Sequence, residues 1–151
     1  MHVGQLCNRD AVTISPHAKV AAAAQLMRDK HVGYLIVIEP DFAGATQRAI
    51  GVLTDRDIVV DVVARGADPR HAAVRDVMSP NPVTIAMTEP VFAAAQEMRR
   101  LGVRRLPVVG SLGELRGVLS LDDVLDALSS ELRNLAGAIH NEQQFETALH
   151  P

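Results

Sequence analysis

Apolar positions along the chain switch between two periods, and the same switching occurs twice. Val12 to Ile14 is a short β-type run. A helical pattern follows from about Lys19 to Lys30, with Val20, Ala23, Ala24, Met27 and His31 three or four apart. Tyr34 to Ile38 and Ile50 to Leu53 are continuous apolar runs between turn-rich stretches, which suits strands buried on both faces. A second helix is expected from Asp55 to Arg65, with Gly66 as its C-cap and Pro69 as a stop. The second half repeats the order. Val83 to Ile85 comes first, then a helix from about Pro90 to Leu101 with Val91, Ala94, Ala95, Met98 and Leu101 on one face, then apolar runs at Leu106 to Val109 and Arg116 to Leu119. A last helix starts at Leu121. Each half therefore reads β-α-β-β-α, an α/β arrangement.

The two halves are copies of one unit. Residues 3–38 align without a gap on 74–109 at an offset of 71, with fourteen of the 36 pairs identical, which is too long and too gapless for composition alone. Gly51-Val52-Leu53-Thr54 aligns with Gly117-Val118-Leu119-Ser120 at an offset of 66, so five extra residues sit in the 39–50 connection of the first copy. Connections tolerate such length changes. The chain divides on this basis into a first repeat, 1–68, a second, 69–130, and a helical extension with a tail, 131–151. Along the last helix Leu121, Val124, Leu125, Leu128, Leu132, Leu135 and Ile139 form an apolar stripe about five turns long. It either covers its own module or packs against a second copy of the chain. From Glu142 onward the residues are polar, and fraying is expected.

Composition narrows the function. Nearly half of the 151 residues are apolar, enough to fill a core. A formal net charge of -3 provides no global field for nucleic acid or an anionic membrane, so local groups must hold any anionic ligand. Cys7 is the only cysteine, which rules out an intramolecular disulfide and a thiolate metal cluster; it aligns with Met78 and reads as a small apolar side chain. The start of the chain lacks the charged and apolar regions of a signal peptide, and no apolar run nears the roughly 20 residues of a membrane helix. A cytoplasmic protein is the expectation, with no nucleic-acid or membrane partner. The histidines at 2, 17, 31, 71, 140 and 150 show no paired-ligand spacing, so no metal is expected. No glycine-rich dinucleotide or Walker motif is present.

The chemistry concentrates where each last strand of a repeat enters a helix, at Thr54-Asp55-Arg56-Asp57 and Ser120-Leu121-Asp122-Asp123. A helix N-terminus presents unpaired N–H groups that can receive a phosphate. Thr54 and Ser120 are placed to help hold it, and Asp57 and Asp123 can accept the two hydroxyls of a ribose. The same Ser/Thr-x-x-Asp pattern is close to a capping box, which would serve the helix alone. Its occurrence at equivalent places in both copies, after Gly and two apolar residues, favours a ligand.

In this motif and its duplication the chain resembles the CBS (cystathionine beta-synthase) domain family, in the tandem arrangement called a Bateman module, over residues 3 to about 130. The resemblance implies two pseudo-symmetric β-α-β-β-α repeats packed through their sheets, here with a C-terminal helical extension, and two clefts able to bind AMP, ADP, ATP, NAD or S-adenosylmethionine. It implies a non-enzymatic regulatory, energy-sensing role without a catalytic cofactor, and a homodimer. Thr54 and Ser120 resemble the phosphate or ribose contacts, and Asp57 and Asp123 the ribose-binding aspartates. Thr13-Ile14, Thr84-Ile85, Tyr34-Leu35 and Leu106-Pro107-Val108 match the segments that flank the adenine. The second copy, with Arg-Arg-Leu-Pro-Val-Val, is closer to the family's usual strand than the first, which lacks the proline. Arg56, Arg104 and Arg105 lie in or beside the cleft-forming segments, as phosphate partners or as part of a solvated basic surface. The alternative to a nucleotide-binding module is a structural dimerisation or adaptor module with no physiological ligand.

Overall fold

Leu35, Ile36 and Val37 are 0%, 1% and 0% exposed in the computed structural model, which describes residues 1–149. Three consecutive buried residues on a strand require cover on both faces, and Leu106, Pro107 and Val108 repeat the pattern. Each of these strands is the centre of a small mixed sheet. In the first repeat β1 (Thr13–Ile14) leads through α2 (Val20–Lys30) to β2 (Tyr34–Pro40), which pairs parallel with β1 and antiparallel with β3 (Gln47–Thr54). In the second repeat β5 (Ile85–Ala86), α5 (Val91–Leu101), β6 (Arg105–Val109) and β7 (Leu115–Ser120) do the same. The sheet orders are β1-β2-β3-β4 and β5-β6-β7, with β4 (Ser79–Pro80) added to the edge of the first. The two repeats meet where β3 approaches β7.

The helices bury the narrow stripe that period 3.6 predicts, Val20, Ala23 and Met27 in α2 and Val91, Ala94 and Met98 in α5. Ala24 and His31, at the same spacing, are exposed. His31 has left the helix and caps it in the left-handed region at φ 54, the place Gly102 takes after α5 at φ 67. The helix expected over 55–65 begins as α3 (Asp55–Ile58) and continues as a π-helix, Val59–Val63. Four β-branched valines in five residues crowd a tight α turn, and the wider turn relieves them. Gly66 closes this segment at φ 67. The last helix, α6 (Leu121–Leu149), runs on through the polar stretch after Glu142 rather than ending there. The expected tail also included His150 and Pro151, which lie outside the described residues.

The two cores exchange their entry segments. Val3 and Cys7, on and after α1 (Val3–Leu6), are buried among Ile85, Met98, Leu106 and Leu119 of the second repeat. Val74, on α4 (Val74–Val77), is buried among Ala23, Leu35, Val37 and Leu53 of the first. Backbone pairing repeats the exchange: Ser79 sits opposite Val52, and Asn8 opposite Val118 with both N–H···O contacts at 2.9 Å. Burial pushes the Cys7 thiol pKa up, so it behaves as the small apolar side chain expected of it.

The two edge contacts differ in how far they depend on glycine. A Cβ on Gly117 would be driven into the Asn8 backbone carbonyl, whereas a Cβ on Gly51 would press mainly on the flexible Met78 side chain. Gly117→Ala is therefore expected to cost roughly 1–3 kcal/mol of stability and Gly51→Ala less. Urea midpoints of the two variants check the order, and equal losses would contradict it.

Candidate functional site

Thr54 ends β3 with extended backbone (φ -111, ψ 161) and begins α3. Its Oγ1 accepts the Asp57 N–H at 3.1 Å, and its own N–H donates to Asp57 Oδ2 at 2.8 Å. Ser120 and Asp123 repeat this at 3.1 and 2.8 Å, and the Ser120 hydroxyl also donates to Asp123 Oδ2 at 2.6 Å. Both turns are thus complete capping boxes. They hold each half-buried carboxylate through Oδ2 in one orientation, which leaves Oδ1 the oxygen with acceptor capacity for a ligand. Capping and ligand binding are compatible uses of these aspartates.

Each turn forms one wall of a cleft whose other wall belongs to the opposite repeat. The first cleft, about 680 Å³, joins Thr54, Arg56 and Asp57 to Pro82, Val83 and the 101–107 segment. The second, about 270 Å³, joins Ser120 and Asp123 to the 10–12 segment and to residues around His31 and Tyr34. Tyr34 and Arg105, equivalent positions of the two repeats, line both clefts and form their shared wall. The Arg105 guanidinium lies 5.6 Å from the centre of the Tyr34 ring. Burial pushes the Tyr34 phenol well above its ordinary pKa, against the pull of the Arg105 charge, so it stays a neutral donor.

The structure brings Thr54, Arg56, Asp57, Arg104, Leu106 and Pro107 together in the first cleft, Ser120 and Asp123 in the second, and Tyr34 and Arg105 in both. Other expected site residues stand elsewhere. Leu35 and Val108 are fully buried in the two cores, Ile85 is in the second core, and Ile14 packs against the first. Thr13 pairs with Ile36 along β1, and Thr84 is exposed beside Arg48 and Asn81, away from both clefts. The residues that do face the clefts from these segments are Val12 and Val83, one position earlier. Their identity across the repeats was the available signal; which neighbour faced inward was not readable from it. Arg104 also forms an exposed ion pair with Asp122 at 3.2 Å, a contact weak enough for a ligand to replace.

One backbone difference bears on base recognition. In the first repeat the Ile36 N–H donates to the Val12 carbonyl at 3.0 Å. Pro107 occupies the equivalent position in the second repeat and has no N–H, so the Val83 carbonyl receives no such bond. Val83 and Pro107 both line the first cleft, as Val12 and Ile36 line the second, so the two clefts differ in this backbone bond. Among the described residues no group of three metal-ligating side chains comes together, and no helix is long and apolar enough to cross a membrane.

The CBS domain model matches residues 3–63 and 74–130 of the chain. The CBS domain-containing protein YhcV of Bacillus subtilis is 34% identical over 79% of this chain and 80% of its own length. An uncharacterized protein of Methanopyrus kandleri is 32% identical over 82% of this chain, which spans 60% of that relative's length. A CBS domain protein from Pyrobaculum aerophilum, solved in complex with AMP, superposes with a TM-score of 0.71 at 29% identity, covering 82% of this chain and 89% of the other.

Proposed function

We propose that this chain, which belongs to the CBS domain family, is a non-enzymatic regulatory module that binds an adenine nucleotide, AMP, ADP or ATP, between its two repeats. NAD and S-adenosylmethionine share the adenosine moiety and belong to the same ligand class. The observation that carries the reading is the composition of the first cleft: a fixed carboxylate at Asp57 suited to ribose hydroxyls, the acceptor at Val83, apolar walls from Val103 and Pro107, and three arginines. The AMP complex of the Pyrobaculum aerophilum relative supports it. A cytoplasmic location and control of a partner protein complete the proposal.

Adenine bears an amino donor where guanine bears a carbonyl, so the Val83 acceptor favours adenine. AMP at about 100 times its Kd is expected to stabilise the protein by roughly 2.7 kcal/mol, a Tm rise of several degrees for a chain this size, with a smaller rise from GMP. Equal shifts would refute adenine selectivity. No shift with any adenosine ligand would favour the adaptor reading, which draws support from the complete capping boxes at Thr54 and Ser120.

We propose in addition that the module is a homodimer. Val59 and Val63 of the π-helix are exposed, as is Leu125, the repeat equivalent of Val59, and α6 carries an exposed apolar stripe on through Leu132, Leu135 and Ile139, at 60–67% exposure for these last three. An apolar surface this continuous is costly to leave in water. Light scattering is expected to give twice the chain mass, and Leu132→Glu with Ile139→Glu half of it. A single-chain mass for the unaltered protein at micromolar concentration would refute this.

A further inference from the structure

We infer that the two clefts divide the adenosine class between them: the Asp57 cleft takes the phosphorylated ligand, and the Asp123 cleft takes an adenosine without a phosphate. The inference rests on the adenosine reading of the module and adds a rule for each cleft. Duplication makes the clefts comparable position by position. Where the Asp57 cleft has Arg104, the Asp123 cleft has Gly33. A Cβ on Gly33 would meet Asp55 Oδ2 at 2.5 Å, so a side chain there would first have to displace that carboxylate. Where the first turn has Arg56, the second has Asp122. The shared Arg105 is the one arginine or lysine that lines the Asp123 cleft among the described residues, and it faces two carboxylates there, Asp123 and Asp10. In the Asp57 cleft three arginines face Asp55 and Asp57.

A phosphate monoester carries about -1.5 to -2 charges near neutral pH. Entering the Asp123 cleft, it would meet two carboxylates, His31 and a single guanidinium shared with the first cleft, whereas in the Asp57 cleft three guanidiniums, one of them paired with Asp122, face two carboxylates. Size acts in the same direction. Small-molecule sites usually measure about 300–1,000 Å³, so 680 Å³ accommodates a nucleotide while 270 Å³ is short even of that lower bound. Removing the phosphate removes the charge obstacle, makes the ligand smaller and keeps the ribose hydroxyls for Asp123.

Calorimetry with AMP and with adenosine tests the division on the full chain and on Asp57→Asn and Asp123→Asn, in which the amide oxygen still caps the helix and apo melting curves confirm folding. One AMP per chain is expected. Asp57→Asn should weaken it at least tenfold, and Asp123→Asn should change it less than twofold. Adenosine should still bind Asp57→Asn with one site per chain and lose that site when Asp123→Asn is added. Arg104→Gln should weaken AMP several-fold without weakening adenosine in the Asp123 cleft. Two AMP sites of similar affinity, AMP affinity lost through Asp123→Asn, or no adenosine bound by Asp57→Asn would each overturn the inference while leaving adenosine binding by the module intact. If neither ligand bound any form of the protein, the adenosine reading itself would fall, and this division with it.

Discussion

Asp57→Ala is expected to weaken AMP binding by about 1–3 kcal/mol, roughly five- to 150-fold, while lowering the apo melting temperature by only a few degrees. The two effects come from the two jobs of one carboxylate. Oδ2 accepts the Thr54 N–H at 2.8 Å and completes the cap, and losing a first-turn carboxylate costs a helix about 0.3–1 kcal/mol. For a chain of this size that is about 1–4 °C. Oδ1 is the atom available to ribose, and its loss leaves ligand hydroxyls unpaired inside a cleft. A thermal melt and a titration on the same preparation separate the two. Unchanged affinity together with a clear loss of apo stability would show that the carboxylate serves only the helix.

Deleting residues 1–9 is expected to unfold the second repeat while leaving most of the first in place. Val3 and Cys7 are buried in the second core and Leu6 packs against it. Burial of a side chain of this kind contributes about 1.5–3 kcal/mol, so the loss approaches the whole stability of a small domain, about 5–15 kcal/mol. The edge pairing of Asn8 with Val118 goes as well. Hydrogen exchange should report the opening in residues 105–120, about a hundred positions from the deletion. Val74→Asp should do the converse and expose residues 34–54, because Val74 is buried in the first core. Exchange localised to the repeat in which each change lies in sequence would refute the swapped arrangement. The two deprotected regions also distinguish this from a general loss of stability, which would raise exchange everywhere.

The amino-acid sequence by itself determined most of what depends on neighbours a few residues apart, though not the π turn at Val59–Val63 or the exit of His31 from α2. Period 3.6 located α2 and α5 to within a residue, the apolar runs located β2, β3, β6 and β7, and the Ser/Thr-x-x-Asp spacing located both caps. The internal offset of 71 then supplied the duplication, and the duplication with its motif supplied the family. Tertiary structure alone decided what depends on distant contacts. Val3 and Val74 occupy equivalent positions of the alignment, yet nothing local shows that each is buried in the other's repeat. Register determined that Val12 and Val83 face the clefts while Thr13 and Thr84 do not, since moving one residue along extended chain turns the side chain to the opposite face. Of the basic cluster at 99–105, Arg100 bonds Glu97 at 2.6 Å, whereas Arg104 and Arg105 line the Asp57 cleft beside Arg56. Periodicity reports which side of an element is apolar; which side is wet and meets a ligand depends on the packing of one repeat against the other, because a cleft is made of two surfaces and each repeat encodes only one.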